Sequence, residues 1–203
     1  MRLISLLKQL PIDLGQANLR STTKGKLIAL DQVPAGKGGT ALDVGCREGL
    51  QSEWLERKGY DVRSIDIEKS YAKCLVVDVN EGLPFPDESF DLIWCSEVIE
   101  HLLSPEAFIE ECERTLKPGG KLVLTTPNSG FWLYPLARLF GKSPKDLQHP
   151  GHVHFFGIDD MKRLFPHAQL FGFFPYFILR FRITKGIGPL SPTFVVIHER
   201  HAA

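Results

Sequence analysis

The sequence is short of the features that would carry a protein out of a reducing compartment. It holds only four cysteines (Cys46, Cys74, Cys95 and Cys112), scattered and without a Cys-x-x-Cys pair. That spacing argues against a disulfide framework and against a cysteine zinc site. It also lacks net charge, since 24 Lys and Arg balance 24 Asp and Glu. No global field draws it to nucleic acid or an anionic membrane, although a local basic patch is compatible with that balance. No run approaches the roughly 18 apolar residues that a bilayer span needs. The stretch from Met1 to Lys8 is too short and too interrupted for a signal peptide. The expectation is a cytoplasmic chain with no transmembrane segment and no DNA partner.

What is present suits one α/β domain. A chain of 203 residues, 43% hydrophobic and 24% charged, can bury a full core without length to spare for a second. Residues 1–38 carry a weak helical periodicity and end in a Pro34–Gly39 connector, reading as an N-terminal helical cover. The remainder alternates. Ala41, Leu42 and Val44 read as a strand that breaks into a glycine-bearing turn, followed by a helix over 51–57 with Trp54 and Leu55 facing inward. Residues 60–67 and 74–77 read as further strands, 90–95 as a fourth, and Pro105 to Leu116 as a helix with Ala107, Phe108, Ile109, Cys112 and Leu116 at core spacing. Lys117-Pro118-Gly119-Gly120 breaks that helix before a fifth strand over 121–128. Such alternation means βαβ units and a mainly parallel sheet.

Three strand ends carry polar chemistry. The glycine turn Asp43-Val44-Gly45-Cys46-Arg47-Glu48-Gly49 lets a ligand approach bare backbone and meet the following helix's amides. Asp66 ends the second strand about twenty residues on, where an acid accepts from the hydroxyls of an adenosine ribose; the other reading is a helix cap. Asp78 follows the third strand and can accept from an adenine amine while Val79 packs on the ring, or can merely cap a turn.

Together with the Phe90 to Leu102 block and Leu116-Lys117-Pro118-Gly119-Gly120-Lys121-Leu122, these elements resemble the class I S-adenosylmethionine-dependent methyltransferases, in particular the ubiquinone-biosynthesis-like subgroup. The resemblance runs from about residue 38 to 165. It implies a Rossmann-like, seven-stranded, mainly parallel sheet with helices on both faces and an antiparallel last strand. Phe171 to Phe181 and Phe194 to His198 suit the final pair, although Pro175 fits a central strand poorly. It implies S-adenosylmethionine as cofactor, with Gly45 and Gly49 beside its methionine portion, Asp66 on the ribose, Asp78 and Val79 on the adenine, and Cys95 and Ser96 lining the sulfonium side. Asp43, Cys46, Arg47 and Ile67 complete the expected contacts. Arg47 departs from the family, which usually has glycine there; its guanidinium either pairs with the methionine carboxylate or crowds the pocket.

Glu97-Val98-Ile99-Glu100-His101 resembles the Glu-x-x-Glu-His element of ubiquinone-biosynthesis O-methyltransferases and of enzymes that methylate the terminal 2′-hydroxyl of small RNAs. There it binds a divalent metal, implying Glu97, Glu100, His101 and a downstream histidine as ligands here. His152 is the matching downstream residue, with His149 and His154 as rivals. Without metal, His101 or His152 would serve as general base. The apolar segment 131–142 suggests a cap (127–157) over a hydrophobic or aromatic acceptor. The reading is one domain over 1–203 that methylates a small molecule, oxygen before nitrogen. The alternatives are a non-catalytic, partner-binding methyltransferase-like domain, or a metal-dependent RNA 2′-O-methyltransferase. A nicotinamide dehydrogenase fails because Arg47 and Leu50-Gln51-Ser52 lack the required glycines.

Overall fold

The computed structural model describes residues 24–173 and 182–201. Its strands are β1 (Thr40–Val44), β2 (Asp61–Asp66), β3 (Cys74–Val76), β4 (Phe90–Ser96), β5 (Leu116–Pro127), β6 (Gln169–Phe173), β7 (Arg182–Ile183) and β8 (Thr193–Glu199). Its helices are α1 (Lys24–Gln32), α2 (Leu50–Arg57), α3 (Pro105–Thr115), α4 (Leu133–Arg138), α5 (Pro144–Leu147), α6 (Ile158–Leu164) and α7 (Ile187–Leu190). The sheet order is β3-β2-β1-β4-β5-β8-β6-β7. The first five strands run parallel, and β8 lies antiparallel to both β5 and β6.

The central strands are apolar on both sides, as a sheet covered twice requires. In β4, Leu92 and Trp94 face one layer while Ile93 and Cys95 face the other. The first layer packs on Ala29 and Leu30 of α1 and Leu55 of α2; the second packs on Phe108 and Cys112 of α3 and on Met161 of α6. α3 begins cleanly because Ser104 accepts from the amide of Ala107 and Pro105 takes the first turn.

Four details correct the sequence reading. Among the described residues the sheet has eight strands rather than seven, because Arg182–Ile183 adds a two-residue ladder to β6, too short to leave a periodic signal. Lys117–Gly120 does not separate helix from strand. β5 starts at Leu116 and absorbs those residues as an irregularity, the register against β4 jumping from Phe90↔Leu116 to Leu92↔Lys121. On α2 Trp54 and Leu55 do pack on one core cluster, but Ser52 is the other fully buried residue and Trp54 is only half-buried, beneath the Lys58 ammonium. On α3, Ala107 is exposed. Most of the N-terminal cover (1–23) and the end of the expected strand over Phe171–Phe181, Pro175 included, lie outside the described residues.

Candidate active site

The site lies at the carboxyl ends of β1, β2 and β4, where parallel strands of an open α/β sheet hand ligands to the loops. The turn after β1 has positive φ at Gly45 (76°) and Gly49 (82°). A side chain on Gly45 would run into Val98 Cγ2, and one on Gly49 would sit 2.5 Å from the Tyr71 ring. Positive φ and close packing against Val98 and Tyr71 therefore require glycine at both positions. Gly49 caps α2 without a side-chain hydrogen bond, leaving the first-turn amides turned toward the cleft. Arg47 also has positive φ (46°), where glycine would be unstrained. Its side chain is exposed, and its charge is felt at Lys26 and His101, so it faces the cleft rather than turning away.

Asp66 Oδ2 accepts from the amide of Arg47 (2.9 Å) and Oδ1 from that of Glu68 (3.2 Å), tying the end of β2 to the glycine turn. A carboxylate has about four acceptor sites, so two remain for a ribose diol, with Ile67 exposed beside them. Asp78 does cap a turn, its Oδ1 accepting from the amide and side chain of Asn80. That uses one oxygen, and half-buried Val79 stands next to it. Asp43 is buried under the turn, accepting from Ser52 Oγ at 2.5 Å; burial outweighs that bond and raises its pKa to about 6. Cys46 is buried within the turn, so it contributes packing and backbone, not a reactive thiol. These residues fit a nucleoside cofactor: a positive-φ glycine turn leading into α2, and an acid with free acceptor sites at the ribose position.

The turn after β4 brings in the second group. Glu97 adopts φ 59°, its amide donating to Thr125 O and its Oε1 accepting from Thr125 Oγ1 (3.0 Å), while Ser96 Oγ bonds the same hydroxyl (2.7 Å). A 3-10 turn (Ile99–His101) then turns Glu100 inward. Glu100 is almost fully buried; its Oε2 accepts from Thr126 Oγ1 (2.9 Å) and its Oε1 has no hydrogen-bond partner. Burial, then the nearby Glu97, pushes its pKa well above the usual carboxylate range. Its carbonyl accepts from the amides of Val153 and His154, which pins the histidine loop to this turn.

On that loop, His152 Nε2 comes to 3.8 Å from the unpartnered Glu100 Oε1. His152 Nδ1 bonds Gln148 Oε1 (3.0 Å), while Gln148 Nε2 donates to Ser129 and Tyr134. An amide oxygen only accepts, so Nδ1 carries the hydrogen and the Nε2 lone pair faces Glu100. His101 Nδ1 donates to Gly151 O (2.9 Å), which likewise leaves Nε2 as the basic nitrogen. Ring nitrogens of His101, His149 and His152 lie within 4.8 Å of one another. Burial first, then the neighbouring histidines, lowers the His152 pKa to about 4; burial likewise lowers that of His101.

The geometry thus gathers His101 and His152 of the expected metal ligands with His149, while Glu100 approaches only through Oε1, 3.8 Å from His152 Nε2. Glu97 is held by Thr125 instead. His154 stacks on Phe156 and stands apart from the cluster. Lys26 was invisible to the sequence reading, which found no chemistry in the N-terminal segment. α1 carries its ammonium to within electrostatic reach of Glu97, Arg47 and Asp43, and burial lowers its pKa. A lysine on a weakly amphipathic helix carries no sequence signal that it points inward.

A family of methyltransferase domains matches residues 42–124. Over 111 residues the chain is 37% identical to a ubiquinone biosynthesis O-methyltransferase of Coxiella burnetii, covering 48% of this chain and 47% of that one. Over 105 residues it is 38% identical to the corresponding protein of Xanthomonas oryzae pv. oryzae, covering 45% and 44%. The chain spans about half the length of the curated relatives it matches. A solved S-adenosylmethionine-dependent methyltransferase from Mesorhizobium loti superposes with a TM-score of 0.68 at 15% identity, covering 88% of this chain and 98% of that one, a likeness of fold. Strand order and glycine turn are those of the class I, Rossmann-like methyltransferase fold. Residues 42–124 thus match a methyltransferase domain family, and the fold is that of class I S-adenosylmethionine-dependent methyltransferases.

Proposed function

We propose that this protein transfers the methyl group of S-adenosylmethionine to a hydroxyl of a small-molecule acceptor. The observation that carries the reading is the meeting, at one sheet edge, of a positive-φ glycine turn with Asp66 and of two neutral histidines whose Nε2 atoms are basic. The cofactor supplies the electrophilic methyl; the protein's part is to position and to take a proton. Asp43, Gly45, Cys46, Arg47, Gly49, Asp66, Ile67, Asp78, Val79 and Ser96 form the cofactor side. Within it, Arg47 and Lys26 offer positive charge to the methionine carboxylate, and Asp66 accepts from the ribose. His101 or His152 removes the acceptor proton, being neutral at pH 7 because of burial. Oxygen is preferred over nitrogen because a hydroxyl needs that base, and the curated relatives are named O-methyltransferases.

Incubating the protein with methyl-labelled cofactor and a panel of phenols and catechols tests this. The expected result is labelled methyl ether formed by the wild type. His101→Gln and His152→Gln should lower kcat by about 10²-fold or more with cofactor binding intact. Label on amines but on no hydroxyl would refute the O-methylation reading.

One observation favours a metal-assisted form. The buried, partnerless Glu100 Oε1 beside His152 Nε2 is what an absent cation would satisfy. Glu100, His101 and His152 would hold it, with His149 or Glu97 completing the set after rearrangement. Such an ion lowers the pKa of a bound hydroxyl. Calorimetric titration of Zn²⁺, Mn²⁺ and Mg²⁺ into EDTA-treated protein should give one site that Glu100→Gln removes; heat unchanged by that substitution would count against it.

A further inference from the structure

Between β5 and the histidine loop, the chain exposes an apolar helix face that the cofactor and proton-transfer residues do not use. Trp132, Leu136, Leu139 and Phe140 are 38, 44, 79 and 71% exposed. The helical turns of α4 continue past Arg138, with the amides of Phe140 and Gly141 donating to Ala137 and Arg138 carbonyls. At about 100° per residue, positions 132, 136, 139 and 140 fall within roughly 100° of arc, one stripe of the helix. The opposite side is anchored: Tyr134 is buried and receives a hydrogen bond from Gln148 Nε2 (3.1 Å), and Gln148 in turn holds His152.

The surroundings of the stripe are basic. Arg138, Lys142 and Lys145 are exposed, and none belongs to an ion pair found among the described residues. Across 131–147 the sole acid is Asp146, and its carboxylate is turned onto the amide and hydroxyl of Ser143 (2.8 and 2.7 Å). A neutral chain has therefore concentrated cations beside its large exposed apolar side chains. That pairing is the chemistry of an interfacial element: leucine and aromatic rings for the acyl boundary, an indole at headgroup level, lysine and arginine for anionic headgroups.

We infer that the Trp132–Lys145 face docks on a bilayer surface bearing anionic headgroups. The surface would lie against the outer side of the helix whose inner side anchors Gln148 and, through it, His152. The inference does not depend on the identity of the methyl acceptor or on methyl transfer itself.

Sedimentation of the full chain with phosphatidylcholine vesicles, with and without phosphatidylglycerol, tests it. Binding to the phosphatidylglycerol vesicles alone is expected, weakening as salt rises. Leu139→Ser with Phe140→Ser should weaken it about tenfold or more. The triple variant Arg138→Gln, Lys142→Gln, Lys145→Gln should weaken it by roughly fivefold per charge removed. All variants should melt and bind S-adenosylhomocysteine like the wild type, since the substituted side chains are solvent-exposed. Equal binding by wild type and variants, or no vesicle binding, would overturn the inference. So would a concentration-dependent dimer dispersed by Leu139→Ser and Phe140→Ser, which would assign the face to a second copy of the chain.

Discussion

Asp43 is a carboxyl buried beneath the glycine turn, its pKa raised to about 6 by burial. Between its ordinary value near 4 and about 6 the native state holds a proton that the unfolded state has lost. Its contribution to stability therefore falls as pH rises through that window and reaches a cost of roughly 3 kcal/mol above it. Asp43→Asn should remove this cost. Urea unfolding of the two proteins should show the variant gaining on the wild type by about 2–3 kcal/mol between pH 4 and 7; a constant difference would mean the group titrates normally. His152 has the opposite sign, its pKa lowered to about 4. It contributes fully above pH 6.5 and loses stability as pH falls toward 4, so only wild-type-minus-variant differences isolate either group. Arg47 is strained at φ 46°. Arg47→Gly should stabilise the cofactor-free protein by about 0.5–1 kcal/mol while weakening S-adenosylhomocysteine binding. Tighter binding in the variant would mean the guanidinium crowds the pocket.

At the scale of elements, the glycine turn and α2 act together. Gly49→Ala would force a side chain against the Tyr71 ring at φ 82°. A loss of about 2 kcal/mol or more is expected in thermal unfolding, with cofactor affinity lost in step; a neutral substitution would mean the turn can shift. This turn was legible in the sequence because strand, glycines and helix each leave a local mark. The histidine cluster was legible only in part. Glu100 and His101 follow β4 in sequence, but His152 arrives from a loop some fifty residues on, held by the amides of Val153 and His154 on Glu100 O. That long-range tie leaves no periodic pattern in either segment, and His152 is reached only through the resemblance, with His149 and His154 as rivals. Glu97 keeps its place near Glu100, but on a left-handed backbone followed by a 3-10 turn rather than the expected α-helical turn, and its carboxylate is bonded by Thr125. Lys26 left no trace, since nothing in Lys24–Gln32 marks which side of α1 the sheet covers.

Over the whole molecule, the parallel sheet was readable because β1, β4 and β5 are apolar on both faces, which only a doubly covered sheet explains. The eighth strand was not, because two residues cannot express a period. Trp94, buried at the sheet centre between α1 and α2, should cost about 3–5 kcal/mol as Trp94→Ala in chemical denaturation; a loss below 1 kcal/mol would place the core elsewhere. Among the described residues no helix is long and apolar enough to cross a membrane. The central claim is that the edge formed by β1, β2 and β4 is a cofactor site. Titrating S-adenosylhomocysteine into the full chain by calorimetry tests it most directly. Micromolar binding at one site, weakened about 10²-fold by Asp66→Ala in a variant that melts like the wild type, is the predicted result. Absence of binding to the folded wild type, or binding indifferent to Asp66, would contradict it and leave a methyltransferase-like fold that serves to bind partners.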